Sequence, residues 1–137
     1  MKKYVVAYVA TLIVFVAVDF VWLSSMASVL YRPVLGDMLA PEFRPVPAVV
    51  FYLFYVAGLT FLAVRPGLSA GKLGTSLVNG AVVGFTAYAT YDLTNQATLV
   101  NWSTTLTVAD LIWGSFVSAV SACAGHWITS KVGARAA

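Results

Sequence analysis

The chain has 137 residues, of which 61% are hydrophobic and 9% charged, and its mean hydropathy is +0.88. Soluble domains carry about 25% charged residues, and a globule this small leaves a large share of its apolar surface in water. A cytosolic enzyme, a nucleic-acid binder and a disordered protein are therefore excluded, which leaves a polytopic membrane protein.

The net charge of +3 does not imply a polyanionic partner, because the eight Lys and Arg residues form no run. Cys123 is the sole cysteine, so no intrachain disulfide is available and an inert thiol is expected in its apolar setting.

A helix needs about 20 apolar residues to cross a 30 Å hydrocarbon core. Four stretches free of Lys and Arg meet that need: 4–23, 47–64, 73–91 and 106–128. The first follows Lys2 and Lys3 and resembles a signal peptide ending near Ser25-Met26-Ala27. Its apolar run is too long for a signal core and contains Asp19, so it is read as a retained span.

After it, Val29, Leu30, Val34, Leu35, Met38 and Leu39 recur at helical spacing, which predicts an interfacial helix or an extension of the first span. Pro41, Pro45 and Pro47 then break continuity. Arg65-Pro66-Gly67 is expected to end the second span, and residues 95–104 to divide the third from the fourth. Barrel strands alternate over about ten residues, and these runs do not.

The expected fold is an all-α integral membrane four-helix bundle, with residues 1–137 as one transmembrane domain. Lys2, Lys3, Arg65, Lys72, Lys131 and Arg135 fall on one side and Arg32 and Arg44 on the other, which predicts both termini inside. In a bacterium the location would be the inner membrane.

Asp37 and Glu42 lie in the first outer loop, where solvent suffices for them. Asp19, Asp92 and Asp110 fall in or at the spans, and the helix directions put all three in the outer half. A carboxylate at mid-membrane costs roughly 2.5–3.5 kcal/mol to insert. Asp19 and Trp22 are three residues apart, as are Asp110 and Trp113, so each pair shares a helix face. Tyr88, Tyr91, Asp92 and Asn95 form a third cluster. These eight residues are the candidate ligand-binding site.

With no Lys or Arg inside the spans, the acids can take up a proton or a cation, or bond to one another and to tyrosines. The plainer alternative is architectural, with aspartates as helix caps or interhelical ties and Trp22, Trp102 and Trp113 as interfacial aromatics. No catalytic residue, cofactor or metal is assigned, since His126 is the only histidine and no nucleotide or metalloprotease motif is present. Gly80 and Gly84, with Gly114 and Ser118, mark seams for packing inside the bundle or for a homodimer.

The segment Tyr88-Ala89-Thr90-Tyr91-Asp92-Leu93-Thr94-Asn95-Gln96-Ala97-Thr98-Leu99 resembles a bacterial family of small four-span membrane proteins known as a domain of unknown function. Asp19-Phe20-Val21-Trp22-Leu23, Phe51-Tyr52-Leu53-Phe54-Tyr55 before Gly58, and Asp110-Leu111-Ile112-Trp113-Gly114 carry the same resemblance. Ala89 stands where the family usually has glycine, and Gln96 where it has an apolar residue. The resemblance implies a fold and no activity.

The leading expectation is a binding or transport protein for a small amphipathic or cationic ligand, proton-coupled through the acids and seated in an outer-leaflet acidic and aromatic pocket. The alternatives are an intramembrane acid–base enzyme acting on a lipid or isoprenoid, and a structural subunit without a ligand. Partners are the bilayer and a small-molecule or lipid ligand, with no nucleic acid.

Overall fold

The computed structural model describes residues 1–135, with side chains through Gly133, so the Arg135 side chain counted above lies outside the described residues. Helix α1 (Lys2–Met26) contains neither proline nor glycine. It runs on through a π-helical turn (Ala27–Tyr31), helix α2 (Arg32–Leu35) and a 3-10 turn (Gly36–Met38). The interfacial segment is thus an extension of the first helix.

After the break at residues 39–44, α3 (Pro45–Leu59) starts with proline in its first turn, where a missing N–H costs nothing. The expected stop at Arg65-Pro66-Gly67 does not occur. A second π-helical turn (Thr60–Val64) leads straight into α4 (Arg65–Ala70), which ends on the left-handed Gly71.

The neighbouring helix explains that continuity. Pro66 offers no N–H to the preceding turn, and helix α5 (Leu73–Thr98) supplies side-chain donors instead. Asn79 Nδ2 donates to the Leu62 carbonyl at 3.1 Å, and Ser76 Oγ to the Ala63 carbonyl at 3.2 Å. Ser76 Oγ also bonds His126 Nδ1 at 2.9 Å, tying this corner to helix α6 (Thr104–Arg135). A lipid-embedded helix keeps its prolines only where neighbours satisfy the freed carbonyls in this way.

Between α5 and α6, Ser103 Oγ accepts from the Leu106 N–H at 3.1 Å and so caps α6. Gln96 clamps the same turn. Its Nε2 donates to Thr104 Oγ1 at 2.9 Å, and its Oε1 accepts from Thr107 Oγ1 at 2.8 Å.

Helix α6 is the axis of the bundle, contacting α1, α5 and the π turn before α4. Its seam with α5 is built by glycines: a Cβ on Gly80 would sit 2.9 Å from the Ser118 carbonyl oxygen, and one on Gly84 would overlap the Gly114 backbone. The small-residue spacing is therefore used inside the bundle. Phe15, Val56, Leu59, Ala63, Val64 and Val117 fill the apolar core.

The interior also holds Thr11, Asp19, Ser76, Asp92, Thr107, Asp110, Ser118 and His126, whereas Ile13, Phe20, Val21, Phe54, Val82 and Ile112 face outward. Polar groups inside and large apolar groups outside fit hydrocarbon as the surrounding medium. Residues 2–38, 45–70 and 104–133 form helices long and apolar enough to cross a membrane. Helix α5 is 26 residues long but richer in Gly, Ser, Thr and Asn.

Candidate functional site

Five segments converge at the end of the bundle where the acids lie. Helix α1 brings Asp19 and Trp22 on one face, and the π turn after it brings Tyr31. Helix α3 brings Tyr52 and Tyr55, α5 brings Tyr88 and Asp92, and α6 brings Asp110, Trp113 and Ser118. The first π turn admits an extra residue before Pro33, which changes the helical register at Tyr31.

Both oxygens of Asp19 are engaged. Tyr52 Oη donates to Oδ2 at 2.7 Å, and Trp113 Nε1 donates to Oδ1 at 3.2 Å. The Trp113 ring stacks on Trp22, with centroids 4.4 Å apart and planes 8° from parallel. Trp22 Nε1 donates to Tyr31 Oη at 2.9 Å, and Tyr31 Oη donates to Asp110 Oδ1 at 2.5 Å. One hydrogen-bonded and stacked chain therefore joins the first aspartate to the last.

Asp92 is the exception. It is 0% exposed, and neither carboxyl oxygen accepts a hydrogen bond from any donor among the described residues. Asp110 of α6 is the neighbouring carboxyl that acts on it most directly. Two carboxylate oxygens cannot bond to each other until something positive stands between them. Tyr88 sets its ring against Gly114 of α6, within electrostatic range of Asp19 and Asp110. Tyr55 Oη and Ser118 Oγ are 2.7 Å apart and bond to each other.

Six of the eight residues expected from the sequence therefore meet: Asp19, Trp22, Tyr88, Asp92, Asp110 and Trp113. Tyr91 is 56% exposed and sets its ring edge-on to Trp102, 5.6 Å away. Asn95, one turn further along α5, is half-buried and has no side-chain hydrogen bond among the described residues. Neither aspartate near a helix end is a cap, since Ser103 takes that role for α6 and Asp92 lies well inside α5.

The indoles touch face to face and leave no gap between them for a ligand. Two grooves open on the flanks, of about 390 Å³ between α3 and α5 and about 510 Å³ between α1 and α3, and no aspartate lines either. Tyr31, Tyr52 and Tyr55 are site residues that the sequence reading did not single out. The three-residue spacing of Tyr52 and Tyr55 in the outer half of a span was the available signal, and Tyr31 had none.

Fold and site together define an integral membrane helical bundle that buries a carboxyl–tyrosine–tryptophan network. Residues 4–127 match the family described as "Predicted membrane protein (DUF2177)", and the chain belongs to that family. No curated protein and no solved structure gave a match.

Proposed function

We propose that the protein is a membrane-embedded binding protein for a small organic cation, exchanged against a proton at the Asp92–Asp110 pair once the helices closed around that pair part. The observation that carries this reading is the buried Asp92 carboxyl, which neighbours a second carboxyl and lacks any donor among the described residues. Two anions this close in low dielectric repel strongly, and a shared proton or a cation removes the repulsion. Tyr31, Trp22 and Trp113 couple that pair to Asp19, so occupancy at one end of the chain of contacts alters hydrogen bonding at the other.

The same reading takes α5 as a fourth crossing, with both termini on the cytoplasmic side of a bacterial inner membrane. Its polar composition fits a lipid setting because the exposed hydroxyls are satisfied within the helix. Thr86, Thr90 and Thr98 each donate to the carbonyl four residues back, at 2.8, 2.8 and 2.9 Å, and Thr94 donates to Thr90.

The test uses the purified protein in lipid nanodiscs and tetraalkylammonium ions of increasing size. A member of the series should raise the melting temperature of the wild type and release a proton into weakly buffered solution. Asp92→Asn supplies an amide donor to Asp110 and so mimics the protonated pair. It should fold at least as stably as wild type and release no proton. Proton release that persists in Asp92→Asn, or wild type that responds to no member of the series, overturns the assignment.

A further inference from the structure

The opposite end of the bundle carries a second feature, independent of the carboxyl network. The groove of about 510 Å³ between α1 and α3 is walled by Tyr4, Tyr8, Ala57 and Phe61, with Arg65 and Met1 at one end. The Arg65 guanidinium lies over two aromatic rings, 5.1 Å from the centroid of Phe61 and 5.9 Å from that of Tyr4. Lys3 Nζ lies 5.8 Å from the centroid of the same Tyr4 ring. A guanidinium held against rings rather than by hydrogen-bond acceptors keeps its N–H donors for bidentate contact with a planar or tetrahedral oxyanion.

No acidic side chain among the described residues competes for those donors. The five acidic residues are Asp19, Asp37, Glu42, Asp92 and Asp110, and all belong to the other end of the helices or to the first loop. Arg65, with Lys3 at the same Tyr4 ring, therefore makes a positive mouth with no acidic side chain beside it among the described residues. Beneath it, the groove follows α3 from Arg65 to Ala57, about 12 Å at the helical rise of 1.5 Å per residue. Thr60 lies along this stretch, 8% exposed, and its hydroxyl has no hydrogen-bond partner among the described residues. Elsewhere in the chain, Thr11, Thr86, Thr90 and Thr129 all donate to the carbonyl four residues back, and Thr60 does not.

We infer that this groove is a binding site for one anionic phospholipid of the surrounding bilayer. The phosphate is held by Arg65 with Lys3, an ester carbonyl accepts from Thr60, and the first part of an acyl chain lies along Ala57 and Phe61. The charge asymmetry selects the occupant: a zwitterionic lipid fills the apolar slot equally well but brings its own cation to a mouth that is already positive. The known preference of basic residues for the cytoplasmic face accounts for charge at this end. It does not account for an arginine laid across the opening of a groove.

The experiment is native mass spectrometry and thermal melting of the detergent-purified protein with added phosphatidylglycerol, phosphatidylcholine or inorganic phosphate. Phosphatidylglycerol should bind as a discrete adduct and raise the melting temperature above the level reached with phosphatidylcholine, and inorganic phosphate should not substitute. Arg65→Gln should weaken the preference for the anionic lipid about fivefold. Lys131→Gln, which removes a charge near the same end but away from the groove, should leave it intact.

Ala57→Phe should block the slot and reduce binding of both lipids, and lipid-free melting and circular dichroism verify that each variant is folded. Equal stabilisation by both lipids, full substitution by inorganic phosphate, or equal losses in Arg65→Gln and Lys131→Gln would each overturn the site in favour of general surface charge.

Discussion

Tyr31 uses its single hydroxyl twice, accepting from Trp22 and donating to Asp110. Replacing it with phenylalanine keeps the ring and strands a buried carboxyl and a half-buried indole N–H. Leaving such groups unsatisfied costs about 1–3 kcal/mol in water-soluble proteins, while hydrogen bonds in membrane bundles average about 0.6 kcal/mol. Tyr31→Phe should therefore lower stability by about 1–2 kcal/mol in a denaturing-detergent titration. Tyr91→Phe, on an exposed ring outside the network, should lie within error of wild type.

The three aspartates could be read from the sequence because charge is so costly in hydrocarbon that each had to have a reason. Their shared direction followed from helix polarity alone. Tyr31 could not be read in this way, since its position depends on a π turn that no residue pattern announces.

Both π turns lie in front of an Arg-Pro pair, at Arg32-Pro33 and at Arg65-Pro66. In each case a wide turn carries the helix past a residue with no N–H, where proline alone would be expected to stop it. That is why the second helix runs on to Ala70 when the sequence suggested an end near Val64. The donor that rescues Leu62 comes from Asn79, a residue 17 positions away.

A double-mutant cycle isolates this compensation. Asn79→Ala in the wild type should cost about 1 kcal/mol by orphaning that carbonyl. In a Pro66→Ala background the restored N–H competes for it, and the cost of Asn79→Ala should fall to a few tenths. Additive losses measured in detergent unfolding would show that the helix does not need the side-chain donor.

Across the whole molecule, hydropathy is enough to identify a membrane bundle, because three helices present long apolar surfaces. It is less informative for α5, whose glycines and hydroxyl residues serve packing on α6 and internal hydrogen bonding. A fourth crossing puts the turn at Lys72 and the turn at Val100 on opposite sides. In a Cys123→Ser background, Val100→Cys should react with a membrane-impermeant maleimide added to intact cells, and Lys72→Cys only after permeabilisation. Labelling of both from one side would remove α5 from the membrane.

The Asp19 contacts also bear on biogenesis. Tyr52 is 33 residues downstream of this aspartate and Trp113 is 94 residues downstream. At a synthesis rate of about 5–20 residues per second, roughly 5 to 20 seconds elapse before the second donor leaves the ribosome. Throughout that interval the nascent first helix carries an acid whose last companion does not yet exist. A translation product cut short ahead of α6 keeps that defect permanently, which marks it for the proteases that survey newly inserted chains.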